Sequence, residues 1–281
     1  MGEIITTYEP DNSLKKGHLS IFSEIYNELK TSRWLTYQLF KRDFLAVYKQ
    51  SFIGISWALI IPLVSVGTFI ILNRSGVFTI GDINVPYPIY AILGMAFWQL
   101  FSMGLVASTN SLVKGGSMIV QINFSKKALV IASTGQAIVS FLIQFVLVGI
   151  LFACYQIAPS VAILWVPIII IPIMLLALGL GFILSLLNGV MRDIGNMLSV
   201  LMIFLMFLTP VLYAKPTTGM LARITEYNPL YDLVTTPRDL VLMGKVPELK
   251  GFLISSVMSV IIVLACLIAF HLTETRITER V

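Results

Sequence analysis

The sequence predicts an all-α integral membrane protein with six transmembrane helices. Of its 281 residues, 57% are hydrophobic and only 12% are charged, and the mean hydropathy is +0.91. Such a composition is typical of membrane-embedded chains and excludes an ordinary soluble domain. Stretches without Asp, Glu, Lys or Arg are long enough to cross the roughly 30 Å hydrocarbon layer as helices of about 20 residues. They cover residues 50–73, 83–113, 128–191, 194–214 and 251–273.

The N-terminal segment, residues 1–50, is predicted to be cytoplasmic and to contain an amphipathic helix in the membrane interface. Its first 33 residues are polar and lack an apolar core, which argues against a cleavable signal peptide. Further on, aromatic side chains share one helical arc and charged ones lie largely opposite, which is typical of a helix in the membrane interface. The alternative is the basic, aromatic flank that precedes any first span on the cytoplasmic side. The arc holds Tyr37, Phe40, Phe44, Val47 and Tyr48, and the opposite side holds Gln38, Arg42, Asp43 and Lys49.

Six spans are predicted within a transmembrane domain of residues 51–273, followed by a cytoplasmic tail, residues 274–281. The longest uncharged stretch is divided by the polar, proline-containing turn at residues 156–160. Thirteen Lys and Arg on the side of the termini against six on the other side favour cytoplasmic termini. The spans cover approximately residues 52–73, 88–112, 128–155, 162–187, 196–213 and 252–272.

Two of the connecting loops have structure-forming patterns. Residues 215–250 are rich in apolar side chains and prolines, which predicts two short helices that dip toward the bilayer, covered by protein or by a water-filled cavity. An amphipathic surface loop is the alternative. After a glycine pair, residues 117–124 are predicted to form a short helix capped by Ser117, whose apolar face would require a partner. A plain basic connector is the alternative there.

An aromatic stripe and several absences bear on function. Tyr90, Phe97 and Phe101 fall near one another on a helix, where packing is the usual role and stacking on sugar rings is the alternative. No P-loop sequence is present, and the two histidines, His18 and His271, do not suggest a metal site or a catalytic triad. No carboxylate lies in mid-span, which argues against a proton-coupled carrier. We therefore predict no catalytic residue, no metal site, no cofactor and no nucleic-acid partner.

Residues 42–63, RDFLAVYKQSFIGISWALIIPL, resemble the signature that opens the permease subunit of polysaccharide-exporting ABC transporters. Val47 departs from it, because many relatives carry a basic residue there. Further matching motifs occur in the family's order between residues 34 and 270. The matching positions are Arg42, Asp43, residues 48–51, Gly54, Trp57, Pro62 and Leu63, then Arg192, Asp193, residues 209–213, residues 227–230, Pro237 and Arg238.

The resemblance implies a type-2 ABC exporter in the cytoplasmic (inner) membrane of a bacterium. Two copies of the chain would form a channel for a lipid-linked polysaccharide of the O-antigen, capsule or teichoic-acid type. Two copies of a separate nucleotide-binding subunit would bind ATP and Mg²⁺. A small-molecule or lipid exporter of the same class is the alternative, followed by an ATP-independent channel or carrier.

The resemblance also implies roles for individual residues. Re-entrant helices precede the last span in the family, and the loop between spans two and three holds a coupling helix that docks on the ATPase. In that loop Ser125 replaces the expected proline. Headgroup binding is assigned to Arg33, Arg42 and Lys49. Channel lining is assigned to Phe52, Trp57, Tyr90, Phe97, Phe101, Met202, Met206 and Phe207, and ATPase coupling to Ser117, Ile119, Ile122, Phe124 and Lys126.

Overall fold

A computed structural model of the chain describes residues 18–49, 56–75, 83, 85–116, 118 and 124–277. All regular structure in these ranges is helical, which confirms the predicted class. In chain order the helices are α1 (His18–Lys49), α2 (Trp57–Arg74), α3 (Tyr87–Thr109), α4 (Ser111–Lys114), α5 (Lys126–Cys154), a 3-10 turn (Val161–Trp165), α6 (Val166–Ile169), α7 (Ile171–Val190), α8 (Asp193–Leu208), α9 (Gly219–Glu226), α10 (Pro229–Met243) and α11 (Leu249–Ile277).

Among the described residues, four helical stretches are long and apolar enough to cross a membrane, one of them made of the 3-10 turn, α6 and α7 together. They are Tyr87–Thr109, Lys126–Cys154, Val161–Val190 and Leu249–Glu274. The other two predicted spans correspond to α2 and α8, whose apolar parts, Leu59–Leu72 and Asp193–Leu208, are shorter. The count of six spans therefore stays a prediction.

The helix in the fifth predicted span, approximately residues 196–213, ends before the span does. α8 ends at Leu208, and Thr209 adopts extended φ and ψ angles of −104° and 124°. Pro210 explains the break, because its ring disfavours helical geometry in the residue before it. Residues 209–213 are nevertheless buried, so they turn back into the protein.

α3 lies at the centre of the fold and is buried on most sides by α5, α7, α8 and α10. Small residues bring the apolar helices close together, as is common in membranes. A Cβ atom on Gly181 of α7 would lie 2.1 Å from Ser108 Oγ of α3, and one on Gly179 would lie 2.7 Å from Val263 Cα of α11. These close approaches hold α7 between the central helix and the last one.

α1 packs along one end of this bundle, and Phe40 of the predicted aromatic arc lies on the packed side. Ile25 and Leu39 are 4% and 3% exposed, whereas Tyr37 is 58% exposed. The reason is that α1 rests on α5 and neighbouring apolar side chains, including Leu112 and Phe270. Packing on the protein therefore selects the apolar face. We call this end of the bundle the α1 end and the opposite end, where α10 packs on the start of α3, the α10 end.

Candidate functional site

The side chain of Arg238 occupies the centre of the α10 end. It is 4% exposed, and its guanidinium carbon lies 4.0 Å from the centroid of the Tyr90 ring, a cation–π distance. Its Nη1 donates to the carbonyl oxygens of Pro210 at 3.1 Å and Val211 at 3.3 Å, and its Nε donates to Asp239 at 3.1 Å. The buried charge is thus balanced by one carboxylate, two carbonyl dipoles and one aromatic face.

The segment after α8 receives these hydrogen bonds because it has left the helical conformation. Its carbonyl groups have no partners from a continuing helix, and buried carbonyls require a donor. The Asn228 side chain donates to Thr209 Oγ1 at 2.9 Å, and the Tyr90 hydroxyl donates to the Tyr213 carbonyl at 3.1 Å. Residues 209–213 are therefore held by α3 on one side and by α10 on the other.

A carboxyl group lies between α10 and the start of α11. Asp232 accepts a hydrogen bond from Ser255 Oγ at 3.2 Å, and Gly251 gives it room, since a Cβ there would lie 2.6 Å from Asp232 Oδ1. Burial raises the pKa of Asp232 above its ordinary value, and the Ser255 hydrogen bond opposes that shift. Nearby, Lys215 forms an ion pair with Glu248. The two helices are joined here by polar contacts.

At the α1 end a buried lysine joins three helices. Lys127, at the start of α5, has no exposed side-chain surface and forms ion pairs with Glu28 of α1, at 2.9 Å, and with Glu274 of α11. Its ammonium group lies 5.9 Å from the Phe270 ring centroid, and Lys126 donates to the Glu274 carbonyl at 2.7 Å. Because a buried charge is costly without partners, these pairs fix α1 and α11 against α5.

His271 belongs to the same polar cluster. Its ring nitrogens lie 3.8 Å from a Glu24 oxygen and 3.9 Å from a Glu28 oxygen. Possible ligand atoms of Glu28, His271 and Glu274 lie within 4.8 Å of one another. However, the ammonium group of Lys127 pairs with both of these carboxylates, so the protein itself supplies the cation.

This cluster has only a weak signal in the sequence. Lys126 and Lys127 form a basic pair at a loop end, which is ordinary beside a membrane span. Glu28 and Glu274 lie 99 and 147 residues from Lys127 along the chain. Ion pairs at such separations depend on how helices pack, which the periodicity of one segment does not report.

The predicted headgroup residues of α1 are exposed as far as the structure describes them, but a spacing of nine residues places Arg33 and Arg42 on opposite sides of the helix. Arg33 is exposed, and the Arg42 side chain is 49% exposed. Arg42 donates through Nε to Asp43 at 2.8 Å and through Nη1 to the Met118 sulfur at 3.4 Å. The side chain of Lys49 lies outside the described residues.

Aromatic and basic side chains share the exposed face of α1. Spacings of three and four residues place them on one side of the helix, opposite buried Ile25 and Leu39. Aromatic rings beside Lys and Arg are typical of the boundary between lipid and water. The face consists of Phe22, Tyr26, Lys30, Arg33, Trp34, Tyr37 and Lys41.

The predicted channel residues fall into a buried group and an exposed group. On α3 the aromatic spacing serves packing, since the Phe97 and Phe141 ring centroids lie 5.4 Å apart. Trp57 of α2 and Phe207 of α8 are 46% and 47% exposed, and Met206 is half-buried. Phe52 lies outside the described residues. The group buried within the protomer contains Tyr90, Phe97, Phe101 and Met202.

The predicted coupling residues are described only at the end of their loop. Phe124 is half-buried and packs on the apolar cluster under α1. Lys126 contacts Glu274 of α11. The coupling helix itself, with Ser117, Ile119 and Ile122, lies outside the described residues.

Apolar helices of membrane-spanning length, with buried charges held in internal networks, define this chain as an integral membrane protein. Residues 35–239 match the family described as ABC-2 type transporter, and the chain belongs to that family. The resemblance of the sequence to type-2 ABC exporter permeases is thereby confirmed.

Three relatives each bear the name O-antigen export system permease protein RfbA. The one from Myxococcus xanthus is 22% identical over 265 residues, which cover 92% of this chain and 99% of the relative. Two from Klebsiella pneumoniae are 24% and 26% identical over 206 and 207 residues, and each alignment covers 72% of this chain and 78% of the relative.

Proposed function

We propose that the chain is the permease subunit of an ATP-driven exporter that moves a lipid-linked polysaccharide across the cytoplasmic membrane of a bacterium. One observation carries the proposal: the alignment with a protein named for O-antigen export covers 92% of this chain and 99% of that relative. Family membership supports the coarser part, transport by an ABC-2 permease. The names of the relatives support the cargo class.

The polymer passes through a channel formed by two copies of the chain. α2 and α8 contact each other through Phe69 and Phe207, whose ring centroids lie 6.3 Å apart. Both helices also have large apolar side chains exposed on the protomer, which suit contact with lipid or with another helix. We assign Trp57 and Phe207 to the channel or the seam between copies. The other exposed side chains are Ile61, Leu63, Val64, Ile71, Met197, Val200, Leu201, Ile203 and Phe204.

The polymer's lipid end binds at α1. A diphosphate carries negative charge that guanidinium and ammonium groups bind by charge-assisted hydrogen bonds. Arg33, Arg42 and Lys49 supply such groups, and Arg42 reaches a headgroup by giving up its contacts with Asp43 and Met118. The aromatic residues beside them keep α1 in the interface.

ATP and Mg²⁺ are bound by two copies of a separate subunit. The sequence contains no G-x-x-x-x-G-K-[ST] motif, so it does not supply the phosphate cradle of a P-loop ATPase. The loop after α4, with Ser117, Ile119 and Ile122, docks on that subunit. Its motion reaches the bundle where the loop enters α5, at Lys126 and Lys127.

Co-purification tests this assignment. The chain is tagged in its native host and extracted in mild detergent, and proteins that co-purify in stoichiometric amount are identified by mass spectrometry. We expect one ATP-binding protein with a P-loop motif per permease, and lipid-linked glycan in the same preparation. An ATPase together with a small lipid or drug as cargo would instead indicate a small-molecule exporter. A preparation without any ATPase would overturn the proposal in favour of a channel or carrier.

A further inference from the structure

We propose that Asn188 is a positioning residue that ties the start of α8 to the end of α3 and transmits motion of the coupling loop to α8. This inference rests on the proposed function and names the contacts through which that loop acts on a channel helix. It starts from a polar network at the α1 end that neither the headgroup site nor the Lys127 cluster uses.

The side-chain amide of Asn188, at the end of α7, is 1% exposed and makes three hydrogen bonds. Its Oδ1 accepts from the Gly195 N–H at 2.8 Å. Its Nδ2 donates to the Thr109 carbonyl at 3.2 Å and to Asn110 Oδ1 at 3.1 Å. Asn110 is oriented for this contact, because its own Nδ2 donates to the Val106 carbonyl at 2.9 Å.

Through these contacts one side chain supplies hydrogen-bond partners to backbone groups at the ends of two helices. Gly195 lies in the first turn of α8, where backbone N–H groups have no partner within the helix, and Thr109 lies in the last turn of α3, where carbonyls have none. Such groups are costly to leave unpaired in an apolar surrounding. An amide suits both ends because it offers an acceptor and two donors on the same group. Asn188 therefore acts as a cap shared between α3 and α8.

A larger residue at Gly195 would have to displace the Asn110 side chain from its hydrogen bonds. A Cβ there would lie 2.5 Å from Asn110 Oδ1 and 3.2 Å from both terminal atoms of the Asn188 side chain. By contrast, a Cβ on Gly189, in the last turn of α7, would have no neighbour within 4 Å. The two glycines are a matched pair, because a Cβ crowds the hydrogen-bonded network at Gly195 and meets nothing at Gly189.

The network continues into the coupling loop. The backbone N–H of Lys114 donates to the Asn110 carbonyl at 3.0 Å, so α4 continues directly from Asn110 toward the loop after it. A displacement of that loop moves Asn110 within about one helical turn, and Asn188 passes the displacement to Gly195. Hydrogen-bonded groups that join rigid helices are one physical route for coupling between distant sites. α8, the receiving helix, presents Phe207 near its other end.

Hydrogen exchange in the complex with its ATPase tests the tie. The exchange of residues 193–199 is measured by mass spectrometry with and without a non-hydrolysable ATP analogue, in the wild type and in the variants Asn188→Asp, Gly195→Ala and Gly189→Ala. Asp keeps the shape of Asn but replaces its donors with acceptors, which repel Thr109 and Asn110 oxygens. We expect nucleotide to change exchange in the wild type and in Gly189→Ala. In the other two variants we expect faster basal exchange, by roughly tenfold or more, and no response to nucleotide.

A nucleotide response that survives in Asn188→Asp and Gly195→Ala would overturn the proposal, as would a wild type without any response. If one variant fails to assemble, the other still gives the answer, because Asn188→Asp removes the donors to Thr109 and Asn110, whereas Gly195→Ala crowds the same network from α8. Polymer export is measured separately in the wild type. A nucleotide response without polymer export would overturn the proposed cargo and leave the tie standing, so the two failures are distinguishable.

Discussion

The guanidinium group of Arg238 lies over the ring of Tyr90 and donates to the backbone that follows α8. This relationship joins α10, the central helix α3 and residues 209–213 in one buried unit. It keeps an interrupted backbone inside the protein, where each carbonyl requires a donor. The break after Leu208 is therefore an integral part of the fold.

Arg238→Leu is expected to destabilise the protein by about 2–4 kcal/mol, because two buried carbonyls and one carboxylate lose their donor. Thermal unfolding in detergent measures the effect. Arg223→Leu, at an exposed position of α9, is the control and should unfold like the wild type. Equal melting temperatures for the two variants would contradict the role of Arg238.

Gly94→Ala is expected to cost about 1–3 kcal/mol by overpacking. A Cβ at Gly94 would lie 2.5 Å from the Val211 carbonyl oxygen, and backbone atoms held from both sides have little freedom to move. Gly67→Ala, in α2, is the matched control because a Cβ there meets nothing within 4 Å. It should be neutral or stabilise by up to about 1 kcal/mol, since Ala favours helices. A neutral Gly94→Ala would show that α3 is not held against residue 211.

Lys127→Met is expected to cost about 3–5 kcal/mol, because it removes the buried cation that pairs with both Glu28 and Glu274. Glu28→Gln keeps the shape of the α1 partner and should free α1 with a smaller loss. Melting temperature measures the loss of stability, and limited proteolysis within α1 measures how far α1 has separated from the bundle. Lys114→Met, at an exposed site, is the control. If α1 is equally resistant to the protease in all variants, the ion pairs of Lys127 do not hold α1 on the bundle.

Asp232→Asn is expected to remove a pH dependence. Since burial raises the pKa of Asp232, the folded protein holds this proton more tightly than the unfolded chain does. The resulting stabilisation is present at low pH and is lost as the pH rises from the ordinary value of 3.8 through the raised pKa. Melting temperatures above pH 3.8 should thus fall less steeply in Asp232→Asn than in the wild type. The exposed Asp193→Asn should follow the wild type, and identical slopes in all three would contradict the burial of this carboxyl.

Arg42→Ala is expected to lower polymer export by roughly tenfold at an equal amount of assembled complex, because a headgroup loses one charge-assisted contact. Lys49→Ala should act in the same direction. The control is Arg74→Ala, exposed at the far end of α2. Surface polymer is measured with a polymer-specific antibody or lectin. Unchanged export in both headgroup variants would remove α1 from the proposed path.

Much of the fold follows from the sequence because it depends on local composition. Uncharged length predicts α3, α5, α7 and α11, and the turn at residues 156–160 separates α5 from the helix after it. The break at Thr209 has a local cause as well, in Pro210, yet the apolar residues after it conceal it in a hydropathy pattern. The buried turn after the break depends on Arg238, which no local pattern reveals.

The polar networks were beyond sequence reasoning for a physical reason. Asn188 and Lys127 gain their roles from groups on other helices, and their partners are identifiable only once the packing is known. The aromatic residues of α3 illustrate a related limit of spacing. Tyr90, Phe97 and Phe101 share one side of a helix, but spacing alone does not distinguish a side facing a channel from a side facing the core.

The central claim, export of a lipid-linked polysaccharide, is tested most directly by deleting this chain in its host and comparing surface polymer with polymer inside the cell. We predict that surface polymer is lost, that lipid-linked polymer accumulates inside, and that the wild-type chain restores export. Restoration should fail when the partner ATPase carries a mutated P-loop lysine. Normal surface polymer in the deletion strain would contradict the account.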